Sequence, residues 1–212
     1  MADKRLLIGT NNPAKQRFFQ ENCLKNADIE LLTPGDVGCH LDIPETAGSP
    51  PEIALQKAKA WHEATGLPVV AQDSGMLLLD LPEDHPDQPG VMVRRVAGRE
   101  LTDDEMTGWY LNLARRHGGM LRFAWVWAWC FYMSEDAYVI KSPSRADLEH
   151  NALYLVDEEC HTKHEGWPID SITRISPDGK YLSELAYDEL NWEEDSKAFF
   201  PEFLRDIQRM LK

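Results

Sequence analysis

The N-terminal third of the chain alternates between short apolar runs and segments with helical periodicity, and this alternation constrains the fold more than any other feature. The apolar runs Arg5 to Gly9, Ile29 to Leu32 and Val69 to Ala71 are predicted strands, because each is short and bounded by turn residues. Between them, Ala14 to Lys25 and Glu52 to Ala64 have the spacing and composition of helices. A β-α-β-α-β order predicts an α/β fold.

The second half of the chain carries fewer signals. Thr102 with Glu105 three residues later predicts a capping box at a helix start. Arg122 to Met133 alternates aromatic and small residues and is predicted to be a central strand, paired with Tyr138 to Ile140 across a short turn. Ser196 to Leu211 has the pattern of an amphipathic helix. With 212 residues and no internal repeat, the simplest organisation is one domain over residues 1–212.

The balance of charge restricts the partners of this chain. A formal net charge of −14 repels a phosphate backbone, so a nucleic acid polymer is not expected to bind. An anionic small molecule requires a local group of cations or a bridging metal. The longest apolar stretch, Phe123 to Met133, is shorter than the roughly 20 residues that a membrane-spanning helix needs, so no membrane association is expected. Four scattered cysteines and the lack of a signal peptide predict a cytoplasmic protein with reduced thiols.

The turn after the first predicted strand contains groups that can bind phosphate. Thr10 and Asn12 offer side-chain donors, Lys15 offers a full positive charge, and a helix that begins here adds outward-pointing N–H groups. A capped helix start with a solvent-exposed lysine explains the same residues. This turn alone therefore does not decide between a phosphate loop and an ordinary helix cap.

Two acidic segments are candidate metal and catalytic sites. Asp73-Ser74-Gly75 is predicted at the carboxyl end of the strand that begins at Val69, where ligands gather in open α/β sheets. Glu45 lies in the long loop before the helix at Glu52. Mg²⁺ prefers one or two carboxylates with water and phosphate oxygens, so Glu45 and Asp73 together are sufficient ligands. Taken alone, Asp73 is equally explained as a turn residue, and Glu45 as a solvent-exposed surface residue.

Read together, these segments resemble the inosine triphosphate pyrophosphatase family, whose members hydrolyse non-standard purine nucleoside triphosphates to the monophosphate and pyrophosphate. The resemblance rests on the order and spacing of the motifs over about the first hundred residues. The matching segments are Thr10 to Lys15, Pro44 to Thr46, Glu52 to Ala58, Asp73 to Gly75, and Pro89 to Arg95.

The resemblance implies an α/β fold with a central mixed sheet, flanking helices and a cleft between two lobes, and it implies roles for individual residues. Thr10, Asn12 and Lys15 match the phosphate-binding loop, in which Asn11 replaces the usual glycine. Glu45 and Asp73 match the Mg²⁺ ligands, and Asp73 also matches the candidate base. Substrate-contacting positions fall on the residues Ser74, Arg95, Trp167 and Asp170.

The implied mechanism is attack of water on the α-phosphorus. Mg²⁺ held by Glu45 and Asp73 bridges the phosphate oxygens, Asp73 helps activate the water, and Lys15 stabilises developing charge. The family resemblance and a stripe of alternating tryptophans also favour a homodimer, although such a stripe is equally typical of a protein core. The tryptophans are Trp125, Trp127 and Trp129.

The sequence departs from the family pattern at three places. Asn11 tolerates a left-handed backbone better than other non-glycine residues, so the loop is expected to survive the replacement of glycine. The family often has two acidic residues before Ser-Gly, and here Gln72 occupies the first of these two positions. The segment from Glu194 to Lys197 stands where the family carries a base-reading Ser-His-Arg, so a changed base preference is expected. The alternatives are therefore a pyrophosphatase for another modified nucleotide, or a non-catalytic nucleotide-binding or regulatory protein.

Overall fold

The computed structural model describes residues 5–20, 29–44, 48–164, 166–185 and 192–211, and the regular elements follow the predicted order. The helices are α1 (Pro13–Phe18), α2 (Pro50–Thr65), α3 (Asp103–Arg116), α4 (Arg145–His150) and α5 (Trp192–Met210). The strands are β1 (Arg5–Ile8), β2 (Glu30–Leu32), β3 (Val69–Leu78), β4 (Met120–Ser134), β5 (Ala137–Lys141), β6 (Leu153–Val156) and β7 (Thr173–Arg174).

The described strands form a mixed sheet in the order β2-β1-β3-β4-β6-β7, with β5 paired to β4. β1 pairs in parallel with both β2 and β3, and its register places Leu7 beside Val69 and Ile8 beside Val70. The pairs β4–β5, β4–β6 and β6–β7 are antiparallel. The predicted α/β fold with a central mixed sheet and flanking helices is confirmed.

The chain divides into two compact units, each built from separate segments. The first unit comprises Met1–Ser74, Trp127–Pro143 and Ser196–Lys212, and the second comprises Gly75–Val126 and Ser144–Asp195. The chain therefore leaves the first unit within β3 and returns to it within β4.

Adjacent residues of β3 enter different hydrophobic clusters of the first unit. Val70 packs with Leu6, Ile8 and Phe19, in the cluster that also receives Phe203 of α5. Val69 and Ala71 belong to another cluster with residues of α2, among them Ala54, Ala58 and Trp61. Because successive side chains of a strand point to opposite faces, β3 presents one face to the end of α1 and the other to α2.

β3 is longer than the sequence pattern predicts, and this corrects the expected position of Asp73. The strand continues through Asp73, Ser74 and Gly75 to Leu78, so Asp73 lies inside the strand and not at its carboxyl end. Met76 and Leu78 are buried in the core of the second unit, where they pack with Tyr110 and other residues of α3. The alternation of buried side chains resumes after the Asp-Ser-Gly turn signal, and this burial outweighs the local preference for a turn.

The predicted hairpin of β4 and β5 is present. Trp129 lies opposite Lys141 and Cys130 opposite Ile140, across the turn at residues 135–136. Trp129 is buried in the first unit, where its ring meets Phe19 edge-on. Trp125 is half-buried and packs against the core of the second unit. Trp125 and Trp129 of the tryptophan stripe thus contribute to the cores.

The capping box predicted at Thr102 is present at the start of α3. The Thr102 hydroxyl accepts a hydrogen bond from the Glu105 backbone N–H at 3.3 Å, and the Glu105 carboxylate accepts one from the Thr102 N–H at 2.9 Å. Replacing Thr102 by alanine is expected to lower the free energy of unfolding by about 1 kcal/mol, because the helix loses its cap. Urea denaturation followed by circular dichroism measures this change. A Thr102→Ser variant keeps the hydroxyl and is expected to retain wild-type stability.

The structure also bears on membrane-spanning helices and on the state of the cysteines. Among the helices of the described ranges, none is both long and apolar enough to cross a bilayer. Cys39, Cys130 and Cys160 are free thiols. Burial raises the pKa of the Cys130 thiol to about 12, so this thiol is protonated near neutral pH.

Candidate active site

The predicted strand-turn-helix is present, and its turn is stabilised mainly by its own groups. We refer to residues Gly9 to Lys15 as the phosphate loop. The Gly9 N–H donates to the Val70 carbonyl at 2.8 Å, which attaches the start of the loop to β3. The Thr10 N–H then donates to the Ile8 carbonyl at 2.8 Å, and the Asn12 N–H donates to the Thr10 hydroxyl oxygen at 3.1 Å. These hydrogen bonds define the conformation of the loop.

Gly9 is required at the first position of the loop because of close packing. A β-carbon added to Gly9 would lie 2.7 Å from Cγ1 of Val69 and 2.9 Å from Cδ1 of Trp61. Both distances are shorter than real contacts of this kind. The loop can therefore leave β1 close against β3 and α2 only because residue 9 lacks a side chain.

Asn12 caps α1, as the alternative explanation of this turn predicts. Its side-chain oxygen accepts from the Lys15 N–H at 3.3 Å, and Pro13 occupies the first helical position. Lys15 and Lys57 add full positive charges beside this helix start.

Asn11 has a different task from the one expected of a residue replacing glycine. In the described parts of the chain only glycines adopt positive φ angles, so the left-handed tolerance of asparagine is not used. Instead, the Asn11 side-chain amide donates to the Leu41 carbonyl at 2.6 Å. This bond attaches the phosphate loop to the segment that precedes Glu45.

A pocket of about 270 Å³ opens beside the phosphate loop within the first unit. Its charged lining consists of Lys15, Lys57 and Asp42, and the ring of the buried Trp61 forms part of its wall. The remaining lining residues are Gly9, Thr10, Asn11, Asn12, Leu41 and Ile43. The structure therefore brings the predicted loop residues together around one polar cavity with two lysines.

Lys57 joins this pocket to Asp73. Its Nζ lies 2.6 Å from Oδ1 of Asp73, and the two side chains are only 17% and 8% exposed. Asp73 does not line the pocket itself, so its carboxylate is adjacent to the cavity through Lys57. An ammonium at this distance neutralises the buried carboxylate and holds it in one position.

Lys57 was not among the predicted site residues, although the sequence carries a signal for it. Lys57 is three residues after Ala54 and four before Trp61, both of which are buried on the inner face of α2. A lysine at such a position is unusual, because burying an ammonium without a partner is costly. Its location on the apolar face, together with its place in the Glu52 to Ala58 motif, indicates a buried acidic partner.

Ser74 and Gln72 face away from Asp73. Asp73 shares the α2 side of β3 with Val69 and Ala71, whereas Gln72 and Ser74 alternate with it onto the side of Val70. Gln72 is buried, at 3% exposure, and Ser74 is half-buried. The structure thus separates the predicted contact at Ser74 from the Asp73 carboxylate.

Some predicted residues lie outside the described parts of the chain. Glu45 is one of them, so the geometry of the expected metal pair Glu45–Asp73 is not described. The side chains of Glu194 to Lys197 are likewise outside, although their backbone belongs to α5. In the described residues, no group of three or more His, Cys, Asp or Glu side chains is arranged to hold a metal ion.

The other predicted residues belong to the second unit. Arg95 is exposed and lines a pocket of about 450 Å³ together with Asp87, Met92 and Trp109. Trp167 is 47% exposed and stands directly before the 3-10 helix Pro168–Ile172.

Asp170, in the same 3-10 helix, is buried. Its Oδ2 lies 3.0 Å from Nδ1 of His164, which offers it a hydrogen bond. Burial raises the pKa of the Asp170 carboxyl, and the contact with His164 opposes that rise. Trp167 thus presents an exposed ring, whereas Asp170 is engaged by a neighbouring side chain.

The sequence of this chain is similar to sequences of known proteins. The sequence matches the Ham1 family over residues 6–143. It is 30% identical to a dITP/XTP pyrophosphatase of Leptospira interrogans over 206 residues, which cover 97% of this chain and 98% of that one. It is 33% identical to a dITP/XTP pyrophosphatase of Thermoanaerobacter sp. over 187 residues, which cover 88% of each chain.

Solved structures agree with the fold. The Ham1 protein of Staphylococcus aureus superposes with a TM-score of 0.73 at 19% identity, covering 95% of this chain and 98% of that one. A HAM1 protein of Coxiella burnetii gives a TM-score of 0.72 at 22% identity with the same coverage.

Proposed function

The chain belongs to the Ham1 family, and from that premise we propose that it is a hydrolase that converts a nucleoside triphosphate to the monophosphate and pyrophosphate. The observation that carries this proposal is the Lys57–Asp73 ion pair beside the lysine-lined phosphate loop. The substrates named for its relatives, dITP and XTP, are the proposed substrate class.

The charges around the pocket support a triphosphate as ligand. The overall charge of −14 disfavours anions at most of the surface, yet Lys15 and Lys57 meet at one polar cavity. Within the described residues, these two lysines are balanced by the carboxylates of Asp42 and Asp73. A triphosphate carries several negative charges, so an additional cation is required to neutralise it.

Mg²⁺ is the proposed additional cation. Carboxylate oxygens are the ligands that it prefers, and Asp73 supplies one beside the pocket, with Glu45 as the second proposed ligand. When bound, the ion would neutralise phosphate charge and polarise the phosphoryl oxygens. Activity is expected to disappear when EDTA is added and to return when Mg²⁺ is restored in excess.

In the proposed reaction the two lysines bind the substrate and Asp73 acts as the base. Lys15 and Lys57 bind the phosphates, and Asp73 accepts a proton from the attacking water. The water oxygen forms a bond to the α-phosphorus while the bond to the bridging oxygen of the β-phosphate breaks, and pyrophosphate leaves. Fixed cations at the pocket stabilise charge that develops on the leaving group without reorganising at the moment of reaction.

The identity of the products tests this proposal. Purified protein is incubated with Mg²⁺ and dITP in ¹⁸O-labelled water, and the products are followed by ³¹P NMR and mass spectrometry. We expect pyrophosphate and a monophosphate that carries the label. Lys15→Ala is expected to lower kcat/KM about 100-fold, because one fixed cation at the developing charge is lost.

The Thr102→Ala variant serves as control, since its change lies at the cap of α3 and it is expected to keep wild-type activity at 25 °C. Diphosphate and orthophosphate as products would contradict attack at the α-phosphorus. A complete lack of turnover of any triphosphate would contradict hydrolysis altogether.

Two alternatives follow from the departures in sequence. A pyrophosphatase for another modified nucleotide is favoured by the changed segment Glu194 to Lys197, and a panel of triphosphates identifies it by the largest kcat/KM. A non-catalytic nucleotide-binding protein is favoured by Gln72, and it would be stabilised by nucleotide without turnover.

The homodimer and the cytoplasmic location stay predictions, which analytical ultracentrifugation and microscopy of a tagged chain would check.

A further inference from the structure

A short segment, residues 41–44, runs along the pocket and is attached at both of its ends. The Asn11 side-chain amide donates to the Leu41 carbonyl at 2.6 Å, which joins one end to the phosphate loop. The Gln56 side-chain amide donates to the Pro44 carbonyl at 2.8 Å, which joins the other end to α2. We call residues 41–44 the acidic strap. The two elements that carry the pocket lysines therefore also hold this strap in place.

Asp42 is the acidic residue of the strap. Leu41 and Ile43, on either side of it, pack against the apolar cluster of α2, whereas Asp42 is exposed and lines the pocket. Among the described residues, no hydrogen bond or ion pair engages the Asp42 carboxylate. A solvated carboxylate beside two lysines is thus available to a ligand that enters from solution.

The two carboxylates near the pocket differ in what they can bind. Asp73 is 8% exposed, and Nζ of Lys57 lies 2.6 Å from its Oδ1. Among the described residues that line the pocket, Asp42 carries the only carboxylate. A divalent cation that enters this cavity with a triphosphate therefore reaches Asp42 without displacing an ammonium. Mg²⁺ keeps several waters and takes only one or two protein carboxylates beside phosphate oxygens, so an exposed carboxylate suits it.

The charge of Asp42 opposes the binding of an anion in this pocket unless a cation accompanies the anion. At close range near a protein surface, one such charge changes the affinity for an anion about tenfold at low ionic strength. A divalent cation between the carboxylate and the phosphate reverses this effect, because it attracts both. The same residue is therefore expected to weaken phosphate binding without the metal ion and to strengthen it with the ion.

We propose that Asp42 is a ligand of the divalent cation that accompanies the triphosphate, and that Asn11 positions it through the acidic strap. This inference rests on the proposed function, to which it adds a metal-binding residue beyond Glu45 and Asp73. It also gives a task to Asn11, which stands where the family has glycine. That task is to hold a ligand of the cation in place.

Asp42→Asn tests the proposal, because the expected change in affinity reverses its sign. The dissociation constant of inorganic tripolyphosphate is measured by calorimetry, once with EDTA and once with excess Mg²⁺. With EDTA, the variant is expected to bind about three- to tenfold more tightly than the wild type, since a negative charge is removed. With Mg²⁺, it is expected to bind about tenfold more weakly, since a ligand of the cation is lost. Mg²⁺ also binds free tripolyphosphate, but this contribution is the same for every variant.

Asp36→Asn provides the matched control. Asp36 is exposed, stands six residues before Asp42, and does not line the pocket. Its carboxylate accepts from the Thr33 N–H and from the Thr33 hydroxyl, each at 2.8 Å. This variant loses the same charge and is expected to bind tripolyphosphate within twofold of the wild type under both conditions. An effect of overall charge would change both variants alike and would contradict the role of Asp42.

A double-mutant comparison tests the positioning role of Asn11. Asn11→Gly removes the bond to Leu41, and glycine can adopt the same backbone conformation. With Mg²⁺, this change is expected to weaken tripolyphosphate binding about three- to tenfold, as for loss of one hydrogen bond. In the Asp42→Asn background it is expected to have less than a twofold effect. An equal loss in both backgrounds would overturn the role of Asn11 in positioning Asp42.

The outcomes are distinguishable from failure of the proposed function. If Asp42→Asn weakens binding less than twofold with Mg²⁺, or weakens it equally with EDTA, Asp42 is not a ligand of the cation. The proposed function stands in that case, provided that the wild type converts dITP to the monophosphate and pyrophosphate. If the wild type binds no tripolyphosphate and hydrolyses no nucleotide, both proposals are overturned.

Discussion

Replacing Asp73 by asparagine is expected to lower kcat for dITP about 1,000-fold, because an amide cannot accept the proton of the attacking water. Asparagine has nearly the same shape, so the local packing of β3 is preserved. The change also removes the negative partner of Lys57, whose Nζ lies 2.6 Å away, and frees this ammonium for phosphate. KM is therefore expected to change much less than kcat. Steady-state kinetics with excess Mg²⁺ measures both constants.

Asp80→Asn is the matched control for this substitution. Asp80 is an exposed carboxylate in the second unit, with Oδ1 2.8 Å from Nε of Arg122, and it belongs to no pocket described above. This variant is expected to keep kcat within twofold of the wild type. If Asp73→Asn retained more than a tenth of the wild-type kcat, Asp73 would not be the base.

Replacing Lys57 by methionine is expected to affect both stability and activity. The Asp73 carboxylate, 8% exposed, loses the ammonium that lies against it. Breaking a buried ion pair from one side costs about 3–5 kcal/mol, because the remaining charge is left poorly compensated. Loss of a cation from the pocket is expected to reduce kcat/KM about 100-fold in addition. Urea denaturation gives the first quantity, and kinetics on the folded variant gives the second.

The same helix offers a control for this second prediction. Lys59, two residues further along α2, pairs with Glu135 at 2.8 Å, but that glutamate is 71% exposed. Lys59→Met is expected to change stability little, because exposed pairs are screened by water. The double variant Lys57→Met/Asp73→Asn removes the uncompensated charge and is expected to recover much of the lost stability. Equal destabilisation by Lys57→Met and Lys59→Met would contradict the buried pair.

Much of the fold was predictable because its signals are local. The capping box of Thr102 and Glu105 uses groups three residues apart, and it is present at the start of α3. The periodicity of Glu52 to Ala64 predicts α2, which runs from Pro50 to Thr65. The β4–β5 hairpin likewise depends on neighbouring residues and a short turn. In each case the sequence signal lies within a few neighbouring residues.

The predictions that the structure corrects concern contacts between distant segments. The Asp-Ser-Gly turn signal suggested that β3 ends before Asp73, but burial of Met76 and Leu78 with α3 extends the strand to Leu78. Asn11 does not adopt the left-handed backbone but bonds to Leu41, 30 residues away. Burial and partners at such separations are not encoded in any local pattern.

The sequence by itself determined the family, the α/β order and the residues of the phosphate loop, because motif order and hydrophobic periodicity are properties of the chain. Only the tertiary structure decided that Asp73 meets Lys57 across 16 residues, and that Gln72 keeps a buried donor on the other face of the same strand. The physical reason is that a strand turns adjacent residues to opposite faces, so what each one contacts depends on which helices cover those faces.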